Sequence, residues 1–252
     1  MRKIFIIGIG AGHPEHVTVQ AINALSQVDV VFVMDKGQEK DDLVRLRRDI
    51  CARYIKDRSY RIVETADPRR DPAVSYEQGV RAWHEQRADI YERLIAGELG
   101  EDGCGAFLVW GDPSLYDSTL RIIDQLVERG RVAFTHEVIP GISAIQVLAA
   151  RHQIALNRIG KSVHITTGRK LTEGLPDGID DVVVMLDGDC SFKAIDPAGI
   201  DIYWGAYLGT SDEILVAGDL RAVGSEIERA RAAAKARKGW IMDTYLLRKR
   251  DA

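Results

Sequence analysis

The sequence predicts an α/β protein of two domains, with a mostly parallel sheet in residues 1–158 and a mixed sheet in residues 159–252. In the first part, short apolar runs of strand length alternate with segments of helical apolar spacing. This alternation is the order that builds βαβ units and parallel sheets. In the second part, strands follow one another across polar turns with fewer helices between them, which favours antiparallel pairing.

The expected strands of the first domain are almost wholly apolar, as strands buried on both faces of a parallel sheet should be. They span residues 3–8, 28–34, 105–109 and 132–139. The spacing of apolar residues predicts the helices. Their expected ranges are 16–26, 41–56, 74–95 and 120–128, and an alanine-rich helix follows residue 143. Residues 67–72 contain prolines and charges and are expected to form a loop.

The second domain is expected to contain five strands and one long helix. The strands span residues 163–167, 182–186, 201–207, 214–220 and 240–247. A polar loop is expected over residues 168–178, and the strands on either side of the turn at 208–213 are expected to be antiparallel. Ser225 and Glu228 have the spacing of a capping box and predict that a helix begins there and runs to about residue 238.

Composition excludes several classes of protein. The net charge of −4 argues against a general nucleic-acid-binding protein, which usually has a basic face. The basic clusters at residues 45–48 and 247–250 are expected to be solvated faces. No apolar run is long enough to span a membrane, and no secretory signal is recognised at the start. Cys51, Cys104 and Cys190 have neither zinc-site nor disulfide spacing, so a reducing cytoplasm is expected and no metal site is predicted.

Three turns rich in glycine and proline each follow a predicted strand. They lie at residues 8–14, 111–114 and 140–143. Because the carboxyl ends of parallel strands meet at one edge of a sheet, we expect the three turns to lie along one edge. Backbone N–H groups at such turns can hold a polar ligand without side-chain bulk.

The first turn also permits a dinucleotide-binding interpretation. Gly8 and Gly10 match the first two glycines of the dinucleotide-binding fingerprint. Asp35 ends the second strand, where an acid that binds ribose would be expected. The third position of that fingerprint, however, is His13 followed by Pro14, so the glycine that allows close helix packing is missing. A phosphate-loop nucleoside triphosphatase is disfavoured further, because no Gly-Lys-Ser/Thr follows the turn.

Together the turns carry a family resemblance. Gly-x-Gly-x-Gly-x-Pro follows the first strand, Gly-Asp-Pro-x-x-Tyr follows a middle strand, and Pro-Gly-x-Ser opens the alanine-rich helix. These motifs, in this order over nearly the whole chain, resemble the tetrapyrrole methylase family. The resemblance implies the two-domain fold of that family, with S-adenosylmethionine held in the cleft between two α/β domains.

Three further segments resemble the members of the family that methylate and deacetylate a corrin ring in cobalamin synthesis. They are residues 32–37, 83–84 and 110–121. The chain also departs from the wider family. Ala11 and His13 stand where the first loop usually has Pro and Asp, and Phe107 and Val109 replace the Arg and Lys that precede Gly-Asp-Pro in the uroporphyrinogen methylases. Any catalytic role of that Arg therefore cannot be carried over.

The resemblance assigns the cofactor to the three turns and to an apolar wall in the second domain. The candidate cofactor-binding residues are Gly10, Gly12, Pro14, Gly111, Asp112, Pro113, Leu115, Ser118, Thr119, Pro140, Ile142, Ser143 and Leu186. Methyl transfer from a sulfonium needs positioning and exclusion of water more than acid–base catalysis. We therefore expect few essential side chains for that step.

Loss of an acetyl group as acetate consumes water and needs a base and an oxyanion stabiliser. The candidates near the strand ends are Asp35, His84, Tyr116 and Asp117. Each also has a plain structural explanation, such as a strand-end carboxylate, a helix-face histidine, a core tyrosine or an acid at a helix start. The tetrapyrrole substrate is a polycarboxylate that calls for cations. Candidate partners of its carboxylates are Lys36, Arg81, Arg121 and Arg169.

Rival functions remain open at this level. The same fold could methylate a protein or an RNA, although the acidic composition disfavours RNA. A nicotinamide-dependent oxidoreductase and a tetrapyrrole carrier without catalytic activity are further alternatives. The resemblance also implies a homodimer, for which the sequence shows no interface signature.

Overall fold

The computed structural model describes residues 1–35, 41–56, 58–71, 73–176 and 178–250. Backbone contacts divide the chain into two compact units. The first contains Met1–Gly10 and Pro14–Ile142, and the second contains Ala11–His13 and the chain from Ser143 onwards. No helix within the described residues is both long enough and apolar enough to cross a membrane.

The first unit is built on a sheet of five parallel strands. They are β1 (Arg2–Gly8), β2 (Val30–Asp35), β3 (Arg61–Ala66), β4 (Cys104–Val109) and β5 (Phe134–Ile139). Their spatial order is β3-β2-β4-β1-β5, and every neighbouring pair is parallel. The prediction of a mostly parallel sheet in the first half is confirmed. The carboxyl ends of β1, β2 and β4 share one edge of this sheet.

Helices cover both faces of this sheet. They are α1 (Val19–Leu25), α2 (Asp41–Tyr54), α3 (Tyr76–Glu98) and α4 (Thr119–Arg129). Along β1, Phe5 and Ile7 pack into the core that contains α1 and α2, whereas Ile4 and Ile6 pack into the core that contains α3 and α4. Both alternating sets are apolar because the strand is buried on both faces.

The second unit is built on a mixed sheet. Its strands are β6 (Val163–Thr167), β7 (Asp181–Met185), β8 (Ile200–Ala206), β9 (Ile214–Asp219) and β10 (Asp243–Lys249), in the order β6-β7-β10-β8-β9. Strands β6 and β7 are parallel, and the other neighbouring pairs are antiparallel. The predicted mixed sheet and the antiparallel β8–β9 pair are confirmed.

Three helices accompany the second sheet, α5 (Ala144–His152), α6 (Gly168–Leu171) and α7 (Leu220–Lys238). Helix α5 packs on β8, β9 and β10. Its Leu148 lies close to Gly205 of β8, where an added Cβ atom would be 3.1 Å from the leucine side chain. The structure therefore divides between Ile142 and Ser143 rather than near residue 158, because the apolar face of α5 is buried by the second sheet.

A buried polar network ties α7 to the second sheet. Asp243 of β10 accepts hydrogen bonds from Trp204 Nε1 at 2.9 Å and from Arg231 Nε at 3.0 Å. Arg231 Nη2 also donates to the backbone oxygen of Asp187 at 2.7 Å, and the Tyr245 hydroxyl donates to the Asp187 carboxylate at 2.7 Å. Since each buried charge has a partner, the network fixes the loop that follows β7.

Two elements differ from the prediction in the first half. Strand β3 was not predicted, because its sequence Arg-Ile-Val-Glu-Thr-Ala lies at an edge of the sheet and is only partly buried. The predicted helix over residues 16–26 is wrong at its start. Pro14–His16 forms a 3₁₀ helix, and α1 begins at Val19 after Thr18, whose side chain accepts a hydrogen bond from the Ala21 N–H at 3.1 Å.

Two further elements differ in the second half. The predicted loop over residues 168–178 begins with α6. The predicted capping box at Ser225 is wrong, because α7 already begins at Leu220 and Ser225 lies inside it. The true N-cap is Asp219, whose carboxylate accepts hydrogen bonds from the N–H groups of Arg221 at 2.9 Å and Ala222 at 3.3 Å. The other predicted elements agree to within a few residues at their ends.

We expect Asp219→Ala to lower the thermal midpoint, because loss of an N-cap costs about 1 kcal/mol. Asp219→Asn is the matched variant: it also loses the ion pair with Arg250 but keeps a side-chain acceptor for the cap. Ser225→Ala should leave the midpoint unchanged or raise it, since alanine favours a helix interior. Thermal unfolding followed by circular dichroism compares the three variants. A larger loss in Ser225→Ala than in Asp219→Ala would contradict this assignment of the cap.

Candidate functional site

Three turns meet at the carboxyl edge of the first sheet. Gly10 and Gly111 form an isolated antiparallel bridge, in which the Gly111 N–H donates to Gly10 O at 2.8 Å and the Gly10 N–H donates to Gly111 O at 3.3 Å. A Cβ atom on Gly141 would lie 2.1 Å from Gly111 O, and one on Gly8 would lie 2.6 Å from Gly141 N. The prediction that the turns share one edge is confirmed, and the glycines permit this close approach.

Asp112 holds two of these turns together. Its Oδ2 atom accepts the Gly141 N–H at 2.8 Å, and its Oδ1 atom accepts the Ser114 N–H at 2.8 Å and the Ser114 hydroxyl. Burial acts to raise the pKa of Asp112, but hydrogen bonds from Ser114 and Gly141 outweigh burial and hold this pKa below its usual value. Pro113, which is buried, follows it and needs no partner for an N–H. Asp112 therefore has a structural role in this turn.

The rest of the first turn belongs to the second unit. Gly12 has φ of +148°, and a Cβ atom there would lie 2.6 Å from Leu208 O and 2.7 Å from a methyl carbon of Thr210. Gly12 thus packs against the turn that follows β8. Ser143 caps α5: its backbone N–H donates to Gln146 Oε1 at 2.9 Å, and its side chain accepts the Ile145 N–H at 3.3 Å.

Three residues other than glycine adopt left-handed backbone conformations close after strand ends. Tyr116 (φ 52°) lies in the turn after β4, Leu186 (φ 52°) follows β7, and Tyr207 (φ 49°) follows β8. Tyr116 is 43% exposed and Leu186 is 63% exposed. Such strained residues concentrate at functional sites, and an apolar side chain held exposed is suited to contact a ligand.

His84 and Ser118 are brought together from different parts of the sequence. His84 Nε2 lies 3.0 Å from Ser118 Oγ, and the ring also packs against Trp83. Burial lowers the pKa of His84, and the positive charges of Arg121, Arg87 and Arg70 lower it further. This environment favours the neutral imidazole of His84, the form that can act as a base.

The other predicted catalytic residues lie near the same strand ends. Asp117 is half-buried, and its Oδ1 atom accepts the Thr119 N–H at 2.6 Å at the start of α4. Asp35 is the exposed last residue of β2. Tyr116 is exposed, and partial burial raises the pKa of its hydroxyl. The structure therefore brings His84, Ser118, Asp117 and Thr119 together, with Asp35 and Tyr116 more accessible.

The predicted substrate-binding cations that the structure describes lie on separate elements. Lys36 lies outside the described residues. Arg81 is exposed on α3, and Arg121 donates to the backbone oxygen of Asp117 at 3.1 Å. Arg169 lines a cavity of about 470 Å³ in the second unit together with Leu186. This volume is typical of small-molecule pockets.

The remaining predicted cofactor residues occupy the same three turns or the adjoining segments. Pro14 begins the 3₁₀ helix after the first turn, and its backbone oxygen accepts the Tyr54 hydroxyl at 3.0 Å. The Leu115 N–H donates to Asp112 O at 3.2 Å. Pro140 and Ile142 flank Gly141 in the turn after β5, where Pro140 is exposed and Ile142 is half-buried.

Sequence reasoning missed a polar cavity in the first unit. It is lined by Phe32, Met34, Arg47, Arg87, Tyr91, Phe107, Leu108, Val109, Asp117 and Thr119. The prediction that residues 45–48 form a solvated face is wrong for Arg47, which is half-buried and donates to Leu108 O at 3.0 Å. Residues 247–250 likewise include a side chain that is not freely solvated, because Arg248 Nε donates to the buried Asp181 at 2.6 Å. Apolar neighbours at helical spacing were the available signal for Arg47.

We expect His84 to titrate below its usual pKa of 6.5 and Arg121→Gln to raise its pKa, because a nearby positive charge is removed. Arg81→Gln is the matched control. Arg81 lies on α3, the helix that carries His84, and its replacement should leave the pKa of His84 unchanged. Proton NMR of the imidazole across pH 5–8 measures the shift. Since the folded pKa is depressed, the stabilising contribution of neutral His84 is full above about pH 6.5 and is lost as pH falls through the folded value. A His84 pKa above 6.5 would contradict the described environment.

Known proteins are similar to this chain in sequence and in fold. A precorrin-6A synthase [deacetylating] from Sinorhizobium sp. is 56% identical over 250 residues, which cover 99% of this chain and 96% of the relative. The crystal structure of a cobalamin synthesis related protein from Corynebacterium diphtheriae is 40% identical, with a TM-score of 0.86 and full coverage of both chains.

A third match shows likeness of fold alone. The uroporphyrin-III C-methyl transferase of Thermus thermophilus, complexed with S-adenyl homocysteine, is 16% identical, with a TM-score of 0.55 over 97% of this chain and 96% of that one.

Residues 3–224 match the profile of the tetrapyrrole (corrin/porphyrin) methylases. Because that match spans most of the sequence and includes all three glycine turns, the chain belongs to the tetrapyrrole methylase family.

Proposed function

We propose that this chain is a precorrin-6A synthase of cobalamin synthesis. The enzyme transfers a methyl group from S-adenosylmethionine to carbon 1 of precorrin-5 and releases acetate. The observation that carries the proposal is the 56% identity to the Sinorhizobium enzyme over 99% of this chain. The match to the Corynebacterium structure over the full length of both chains supports the same assignment.

The residues present fit S-adenosylmethionine as cofactor. Gly10 and Gly111 pair through their backbones at φ of 80° and 70°, so no side chain is needed where the turns approach each other. Within the second unit, the exposed Leu186 supplies an apolar surface, and Gly12 lies against residues 208–210. When bound, the cofactor supplies an activated methyl group. The Thermus relative, which shares the fold, was solved with S-adenyl homocysteine.

The turns would contribute position rather than acid–base chemistry to methyl transfer. Asp112 ties its own turn to Gly141, so the backbone groups beside the cofactor are fixed before the reaction. A rigid, preorganised setting is what an in-line transfer from a sulfonium requires.

Release of acetate needs a base, and the first unit has two side chains in fixed positions that could serve as one. The neutral imidazole of His84 is held by Ser118, and the carboxylate of Asp117 lies at the start of α4. Asp35 and Tyr116 are more exposed and are suited to contact the substrate from solvent. Arg81, Arg121 and Arg169 are proposed partners of the substrate carboxylates. Assembly as a homodimer and a cytoplasmic location stay predictions from the sequence.

We expect S-adenosylhomocysteine to bind the wild-type protein at one site and Gly111→Val to abolish that binding. A β-branched residue at φ of 70° would be strained, and the strain would fall on the turn that pairs with Gly10. Gly130→Val is the matched control, since Gly130 also has a positive φ (60°) but ends α4 with open space around it. Isothermal titration measures affinity, and circular dichroism confirms folding. Full affinity in folded Gly111→Val would refute this placement of the cofactor.

We further expect the purified protein to convert precorrin-5 with one methyl transferred and one acetate released per turnover. Mass spectrometry resolves the methylated product, and an enzymatic assay measures acetate. Binding of a tetrapyrrole without turnover of S-adenosylmethionine would favour a carrier. Methylation of a protein or RNA, with no turnover of precorrin-5, would favour the other rival function.

A further inference from the structure

The polar cavity of the first unit lies at the carboxyl ends of two neighbouring strands. Met34 of β2 and Val109 of β4 form part of its wall, and Asp117 and Thr119 close it from the start of α4. Ligands of open parallel sheets bind at such strand ends. The cavity measures about 60 Å³. A water molecule needs roughly 10–15 Å³ by this kind of measure, so the space suits a small acyl group together with one water.

One of the two arginines that line the cavity is neutralised within the protein. Arg87 Nε lies 3.0 Å from Asp67, and both side chains are only 8% exposed. The guanidinium also lies over the rings of Trp83, at 4.6 Å, and Tyr91, at 5.4 Å. The charge of Arg87 is thus paired with that of Asp67, although the Nε atom of Arg87 makes no hydrogen bond within the described part of the chain.

The second arginine is not neutralised in this way. Arg47 Nε donates to Leu108 O at 3.0 Å and Nη1 donates to Leu43 O at 2.9 Å, so both hydrogen bonds go to backbone oxygens. Among the side chains that the structure describes, no carboxylate forms a salt bridge with Arg47. Burial lowers the pKa of this guanidinium, although an arginine stays charged in proteins. These two bonds hold the charge at the cavity and leave Nη2 for a ligand.

A carboxylate and two hydroxyl groups complete the polar part of the wall. Asp117 uses Oδ1 for the Thr119 N–H, which fixes the orientation of its carboxylate. The Tyr91 and Thr119 side chains, each with a hydroxyl group, also line the cavity. Apart from the Arg87–Asp67 pair, the wall therefore carries one positive and one negative charge, and these two groups form no salt bridge with each other.

We infer that this cavity receives the acetyl group that is removed from the substrate, with Arg47 facing its oxygen and Asp117 acting as the base. The inference rests on the proposed function, because it names the residues for the release of acetate. A cavity with balanced charges suits an uncharged acetyl group, and a guanidinium matches the two oxygens of the departing carboxylate.

Removal of the acetyl group is a hydrolysis with a tetrahedral intermediate. Water attacks the acetyl carbonyl carbon, its proton passes to Asp117, and the carbonyl electron pair becomes an oxyanion opposite Arg47. The oxyanion re-forms the carbonyl, and the bond between the acetyl carbon and the ring carbon breaks. The bonding pair passes to the ring carbon, which takes up either a proton or the methyl group. Acetic acid leaves and ionises to acetate.

Arg47→Met tests the catalytic part of this inference, because methionine keeps the approximate volume and removes the charge. We expect acetate release to fall about 100-fold, the usual effect of losing an oxyanion stabiliser. The affinity for S-adenosylhomocysteine should be unchanged, since Arg47 is not among the turn residues. Arg47→Lys should restore part of the acetate release, and Asp117→Asn should also slow it. Arg45→Met, on the exposed side of the same helix, is the matched control with full activity. Unchanged acetate release in Arg47→Met would overturn the inference.

Binding of the product tests the cavity independently of turnover. Carbon-13-labelled acetate is titrated with wild-type protein, and line broadening in the NMR spectrum reports binding. We expect saturable broadening in the wild type and in Arg45→Met, and its loss in Arg47→Met. No broadening in the wild type, or equal broadening in all three proteins, would overturn the inference. If acetate binds through Arg47 but the wild type converts no precorrin-5, the proposed function fails while the small-carboxylate site stands.

Discussion

The close approach of three backbone turns is the constraint on which the first unit depends. Gly10 and Gly111 pair as a short antiparallel bridge, and Gly141 lies so near Gly111 that no Cβ atom fits between them. Asp112 then joins its own turn to Gly141 through a single carboxylate. The strands that precede these turns are parallel neighbours, so the sheet brings their carboxyl ends together. Glycine, which has no Cβ atom, allows the backbones of the turns to come into contact.

The parts of the fold that could be predicted from sequence are those that local chemistry determines. The turns, the parallel and mixed sheets and the helix that begins after Ser143 follow from glycine, proline and apolar periodicity. Strand β3 could not be found this way, since an edge strand carries charges that interrupt the apolar pattern. The start of α7 was misplaced because two capping signals lie six residues apart, and only tertiary packing selects Asp219 over Ser225.

In the candidate site, too, residue types could be predicted from local sequence, whereas contacts between distant segments could not. His84, Ser118 and Asp117 could be named from motifs, but their contacts depend on the packing of α3 beside α4. Arg47 lies in a run of basic residues that reads as a solvated helix face, yet its guanidinium reaches the backbone of β4. Such a residue cannot be recognised locally, because hydrogen bonds between distant segments decide where a long side chain points.

The assignment of Ala11–His13 to the second unit has a consequence for modularity. Gly12 packs against the turn after β8, although the chain reaches that turn nearly two hundred residues later. The second unit is therefore discontinuous in sequence, and a fragment that starts at Ser143 would lack part of its own packing. Recombining halves of related family members at a single junction would separate Gly12 from the turn that it contacts, so three crossover points, before Ala11, after His13 and before Ser143, are needed to move this unit intact.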